Sequence, residues 1–280
     1  QQALQKKQYT HTEVIPLYAR LSASDQQKIF HPQGRRRIVL STNVAETSLT
    51  VPGIKYVIDS GLVRMSRYSH RLKVQRLPIE AISQASAKQR AGRCGRTSKG
   101  ICIRLYSEQD FLARPEFTDP EITRTHLSSV ILQMLNLGVG EIQQFEFIQP
   151  PQEKFIKDGV RLLQELQAVD IRAGRLHLNE QGRKMARFPL DPKYARMLLA
   201  AGETDCVSEV MIITAGLSVQ DPRERPHDKQ QKADLAHGEF ADKDSDLISL
   251  LNLYKSFKTQ QKELNQNHLR KWCLHHFVHY

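Results

Sequence analysis

Within the first 113 residues short β-branched runs alternate with polar or helical stretches, and after residue 120 that alternation stops. Residues 14–18, 37–40, 56–58 and 101–106 have the composition of strands. Strands spaced by helical segments cannot pair as tight hairpins, so the pattern predicts a parallel α/β sheet. Residues 62–77, L-V-R-M-S-R-Y-S-H-R-L-K-V-Q-R-L, depart from it. Two strand-like arms flank a polar turn placed at 68–70, which predicts a β-hairpin projecting from the sheet.

Past the loop 114–120 the periodicity becomes helical. A helix is expected from Glu121 behind Pro120, with Leu127, Val130, Ile131, Met134 and Leu135 inward and Gly138 and Gly140 as its stop. A helix over 153–167, a strand over 175–178 and a helix over 179–187 follow. Helix, helix, strand, helix in so short a span suits a winged helix. Beyond Pro192 the chain reads as wholly helical, with apolar stripes over 193–201, 207–217 and 246–257 and a charge-dense connector over 220–244. The predicted class is therefore α/β followed by mostly α.

The formal net charge is +11, which favours a polyanionic partner such as nucleic acid. With 40% hydrophobic and 25% charged residues, wholesale disorder is not expected. No apolar run approaches the roughly 20 residues of a membrane span, so no membrane partner is expected. The N-terminal string Q-Q-A-L-Q-K-K has no apolar signal core and reads like the end of a helix, predicting that the chain starts inside a larger protein. Cys94, Cys102, Cys206 and Cys273 form no CxxC pair and suit reduced thiols in the cytoplasm. His275, His276 and His279 lack a completing carboxylate or cysteine cluster, so a solvated helix end is expected and no metal site.

The string Q-R-A-G-R-C-G-R at 89–96 carries the strongest chemical signal. If helical, Gln89, Arg93 and Arg96 fall at i, i+4 and i+7 on one face. Arginines separated by glycines let long cations reach forward while the backbone packs closely. Phosphoryl transfer wants such an array, because charge builds on the γ-phosphate oxygens and a guanidinium stabilises it bidentately. A neighbouring glutamine can orient the attacking water. A solvated basic helix end is the plain alternative. The second string, S-T-N-V-A-E-T-S-L-T at 41–50, follows the strand at 37–40. It sits at the carboxyl end of a parallel strand, where open α/β sheets bind ligands. Its five hydroxyls and one amide can bond phosphates and sugars without reading bases; capping of the next helix is the alternative.

Together these strings resemble motifs V and VI of the DEAH-box, superfamily 2 RNA helicases. Leu17-Tyr18-Ala19-Arg20-Leu21, Val57-Ile58-Asp59-Ser60-Gly61, Gln84-Ala85-Ser86-Ala87, Leu190-Asp191-Pro192 and Trp272-Cys273 match further family strings. Ser218-Val219-Gln220-Asp221-Pro222 matches a family string too, and its extension Ser218-Val219-Gln220-Asp221-Pro222-Arg223-Glu224-Arg225-Pro226, with Leu49-Thr50-Val51-Pro52-Gly53, is similar to the bacterial HrpA type. The resemblance covers essentially the whole chain. It implies an N-terminally truncated second RecA-like domain over 1–113, a winged helix over 114–189 and an incomplete helical ratchet domain over 190–280. It implies that Arg93 and Arg96 act as arginine fingers with Gln89 near the attacking water. Phe30 would stack on adenine and Ser48 would face the nucleotide. Arg20, Thr42 and Asn43 would meet the nucleic-acid backbone, as would the hairpin residues Arg64, Arg67, Arg71, Lys73 and Arg76. The implied cofactor is ATP with Mg²⁺, and the implied partner is single-stranded RNA, with DNA left open.

No phosphate-cradling G-x-x-x-x-G-K-[ST] loop and no D-E-A-H string occurs in the sequence. The Mg²⁺ ligands are therefore expected outside this chain, on a first RecA-like domain in cis, and the chain alone is expected to be inactive. A nucleic-acid-binding module without motor activity, or a protein-docking scaffold, are the competing functions.

Overall fold

The computed structural model describes every residue except 1–3, 5–8, 19–20, 22–26, 28, 31–33, 48–50, 97 and 227–228. The chain divides into two compact units, one of residues 1–126 with 148–151 and one of residues 127–147 with 152–280.

In the first unit β1 (Thr12–Leu17) runs parallel to β2 (Arg36–Ser41). Alternation along β1 sends Ile15 and Leu17 to one face, where they meet Ile29, Val39, Val44, Ala45 and Val51 in an apolar cluster. The one-turn helix α1 (Val44–Thr47) follows β2 directly. A second parallel pair joins β3 (Tyr56–Asp59) to β8 (Ile101–Arg104). The expected parallel pairing is thus present, in two separate two-stranded ladders.

Between β3 and β8 lies the hairpin, built as two successive antiparallel ladders. β4 (Leu62–Arg64) pairs with β7 (Ile79–Ala81), and β5 (Arg67–Ser69) pairs with β6 (Val74–Arg76). The turn occupies residues 70–73 and not 68–70, with Lys73 at φ 52°. Tyr68 is the reason: it is buried, so it belongs to a strand and leaves the following polar residues to turn. Helix α2 (Gln84–Ala91) starts behind Ser83, whose Oγ accepts from the Ser86 N–H at 3.2 Å. Helix α3 (Glu108–Ala113) is capped by Ser107 in the same way.

The helix expected from Glu121 is a single 3-10 turn, Glu121–Thr123. The Arg124 carbonyl does not continue a helix; it accepts from the Tyr68 N–H of the hairpin at 2.7 Å. The full helix, α4 (Ser128–Leu137), begins in the second unit and ends at Gly138, whose φ of 69° suits glycine. α5 (Glu153–Glu165), β9 (Val169–Arg172), β10 (Arg175–Leu178) and α6 (Glu180–Ala186) complete a helix-helix-hairpin-helix order. The sequence reading missed β9, although V-D-I-R alternates as a strand should. α7 (Pro192–Ala201), α8 (Val207–Ser218), α9 (Gln230–Gly238), α10 (Asp246–Glu263) and α11 (Gln266–His275) follow. The charge-dense connector therefore contains a helix, α9, anchored through buried Ala233. His276 does not lie at a solvated helix end. Its Nδ1 is 2.8 Å from the Trp272 carbonyl and its ring centroid 4.3 Å from that of Trp272, beside the cluster of Phe240, Leu253 and Val278. Helical i, i+4 spacing puts it there. Among the described residues no helix is long and apolar enough to cross a membrane.

Candidate functional site

The 89–96 string does not present Gln89, Arg93 and Arg96 on one helical face. α2 ends at Ala91, with Gly92 as its cap, and tighter turns follow: the Arg93 N–H reaches the Arg90 carbonyl at 3.1 Å and the Cys94 N–H reaches the Ala91 carbonyl at 3.3 Å. Two glycines in four residues explain the stop, each costing about 1 kcal/mol against alanine in a helix. Gly100 seals the turn, because a Cβ there would fall 2.1 Å from the Cys94 carbonyl oxygen. Gln89 and Arg96 are exposed and Arg93 is half-buried. Arg93 Nη2 donates to the backbone carbonyl of Glu46 in α1. Burial and the positive charge of Arg96 hold the Arg93 guanidinium below its ordinary pKa, against the pull of Glu46. Two cations crowded on one turn suit a polyvalent anion.

Behind this turn lies a buried polar cluster that the sequence reading did not identify. Arg90 donates from Nε to Glu46 Oε2 at 2.9 Å and from Nη1 to Asp59 Oδ1 at 2.8 Å. Asp59 has a wholly buried side chain and also accepts from the Gly61 N–H and the Tyr106 hydroxyl, each at 2.9 Å. Burial alone would raise the Asp59 pKa; the Gly61 N–H, Arg90 and Tyr106 outweigh it and hold the carboxyl below its ordinary value. Burial and Asp59 together push the Tyr106 phenol up to about 12. Arg114 lies 4.0 Å over the Tyr106 ring and donates to the Gly61 carbonyl at 2.9 Å. The cluster ties α1, α2, the end of β3 and the two residues flanking α3, Tyr106 and Arg114, into one support for the arginine turn.

The 41–50 string meets this support directly. The Thr42 N–H extends the β1–β2 ladder to the Leu17 carbonyl at 3.0 Å, and the Asn43 carbonyl accepts from the Glu46 N–H at 2.9 Å. Thr42 and Asn43 are exposed, one helical turn before the residue that receives Arg90 and Arg93. Ser48 and Arg20 lie outside the described residues. Phe30 is 37% exposed beside fully buried Ile29, so Ile29 is the core residue of that string and the phenylalanine is open.

In the hairpin Arg64, Arg71, Lys73 and Arg76 are exposed. Arg67 differs. Its Nε bonds both Glu80 carboxylate oxygens, at 2.6 and 2.8 Å, and its Nη1 bonds Asp119 Oδ2 at 3.1 Å. The ionic partners could not be read from the string, because Glu80 and Asp119 are 13 and 52 residues away.

Comparison with known proteins bears on these features. Residues 1–98 match the helicase conserved C-terminal domain, and residues 191–250 match the helicase associated domain (HA2), ratchet-like. The chain is 59% identical over its full length to the ATP-dependent RNA helicase HrpA homolog of Haemophilus influenzae. It is also 59% identical, over 99% of its length, to the ATP-dependent RNA helicase HrpA of Escherichia coli. In both cases it spans 22% of the relative. The solved structure of the E. coli DExH-box NTPase HrpB matches 80% of this chain and 27% of that one, with a TM-score of 0.70 and 35% identity.

Proposed function

Because the chain belongs to the HrpA-type DEAH-box RNA helicases, we propose that its parent protein couples ATP hydrolysis to movement along RNA and that this chain supplies the arginine side of the ATP site. The carrying observation is the turn at 92–96, with Arg93 fixed on the backbone of Glu46 beside exposed Arg96. In this reading both guanidiniums stabilise charge that develops on the transferred phosphoryl group, and exposed Gln89 orients the attacking water. Open Phe30 offers its ring face to the base, and Ser48 is assigned to nucleotide contact by the family resemblance alone. Mg²⁺, held by residues outside this chain, would neutralise phosphate charge. Residues 1–113 then act as the second RecA-like domain, 114–189 as a winged helix and 190–280 as a ratchet domain.

Single-stranded RNA is the proposed track. Exposed Thr42 and Asn43, Arg20 and the exposed hairpin cations Arg64, Arg71, Lys73 and Arg76 would bond its phosphates and riboses, a form of recognition blind to base sequence. The decisive experiment is steady-state ATPase with RNA on the full-length protein. Arg96→Ala or Arg93→Ala is expected to lower kcat by about 10³- to 10⁵-fold, with a smaller loss of nucleotide affinity, because the contact strengthens in the transition state. Turnover within a few-fold of wild type for both variants would refute the assignment.

A further inference from the structure

The basic hairpin is braced along an edge that its own strands leave unpaired. β5 pairs with β6 on one side; on the other, the Tyr68 N–H donates to the Arg124 carbonyl at 2.7 Å and Arg124 Nη1 donates to the Ser66 carbonyl at 3.1 Å. Tyr68 is buried against His126, edge to face at 4.7 Å. The end of the segment 119–126, past its 3-10 turn, therefore holds the outer edge of β5 by one backbone hydrogen bond and the Tyr68–His126 ring contact. Arg67 closes the arrangement. Its Nε meets both carboxylate oxygens of Glu80, within the β4–β7 ladder, and its Nη1 meets Asp119, at the start of the brace.

We infer that Arg67 is not a phosphate contact but the positioning residue that clamps the hairpin to the 119–126 segment, leaving Arg71, Lys73 and Arg76 to meet the nucleic-acid backbone. A guanidinium already bonded to two carboxylates has little charge to offer a third anion. Glu80 is itself only 27% exposed in its side chain, so releasing Arg67 to RNA would strand a half-buried carboxylate. Arg71 and Lys73 lie in the exposed turn and exposed Arg76 stands on β6 opposite Arg67, so of these four cations Arg67 alone is half-buried and held by two carboxylates. An isolated two-stranded hairpin is marginal in water, so cations on an unbraced one would have no fixed geometry. This inference rests on the reading that the hairpin binds RNA.

The test uses this chain, a fluorescein-labelled oligouridylate in anisotropy titrations at several salt concentrations, and amide hydrogen exchange over residues 67–76. Replacing Arg71, Lys73 and Arg76 together by Ala is expected to flatten the slope of log affinity against log salt by about 2, near 0.7 per lost phosphate contact. Arg67→Met is expected to leave the slope at wild type, weaken binding several-fold and accelerate hairpin exchange, with melting of the whole chain unchanged. Arg67→Lys should restore most of both losses. Glu80→Gln combined with Asp119→Asn separates the models by sign. Freed from its carboxylates, a phosphate-binding Arg67 would bind RNA more tightly and with a steeper slope, whereas a clamp would loosen and bind less well. Flattening by Arg67→Met equal to that from one tip cation, or hairpin exchange unchanged in the carboxylate variant, overturns the clamp. A triple variant with the wild-type slope would instead refute the RNA reading of the hairpin, and the exchange data would still decide the clamp.

Discussion

Arg90 shows how much one position in a repetitive string can differ from its neighbours. Arg90, Arg93 and Arg96 look alike in Q-R-A-G-R-C-G-R, yet Arg90 faces inward onto Glu46 and Asp59 while Arg96 is exposed. Spacing separates these roles only once the helix end is known, and the partners come from other elements, so the sequence held no signal for the buried pair. Arg90→Met removes the cation facing buried Asp59 and leaves the carboxylate with the Gly61 N–H and the Tyr106 hydroxyl, and should cost about 3–5 kcal/mol in urea unfolding at neutral pH. The pH dependence follows from the sign of the Asp59 shift. Its folded pKa is depressed, so its contribution is complete above the unfolded value near 4 and is lost as pH falls through the lower folded value. The gap between wild type and Arg90→Met should therefore narrow on going from neutral pH into this acid range. A gap of the same size at both ends would show that Asp59 is not what Arg90 stabilises.

At the scale of elements, β-branched runs located β1, β2, β3 and β8, and apolar periodicity located α4, α5, α7, α8 and α10. Errors arose where an element is fixed by partners distant in sequence. The hairpin turn was displaced because buried Tyr68 is polar by type, and α9 was missed because its sequence, Q-Q-K-A-D-L-A-H-G, looks like a connector. The junction of β3 and β4 combines a left-handed backbone with a close approach of side chains. Gly61 has φ 71°, and a Cβ there would lie 2.6 Å from Tyr106 Cδ1 and 2.7 Å from Arg114 Nη2. Gly61→Ala should destabilise the first unit by about 2–5 kcal/mol through left-handed strain and overpacking against the Tyr106–Arg114 stack. The same denaturation assay checks this, and a loss below about 1 kcal/mol would mean that the stack yields at little cost.

For the molecule as a whole, the proposed function places only the arginine side of the ATP site on this chain. The arginine turn has support but no phosphate loop beside it in the sequence, so the 280-residue chain should release no phosphate from ATP with RNA present. Robust release that persists through further purification would refute the division. Each compact unit also carries a buried cysteine: Cys94, 4% exposed with its Sγ 3.0 Å from the Ala91 carbonyl, and Cys273, 1% exposed in α11. Such thiols react with an alkylating reagent only when their surroundings open, which makes them two independent clocks in one polypeptide. Peptide mass spectrometry after timed alkylation should give separate opening rates for the two, the Cys94 rate rising in Arg90→Met while the Cys273 rate stays constant. If both rates rise together, the two units unfold as one, and the arginine turn cannot loosen without the helical end of the chain.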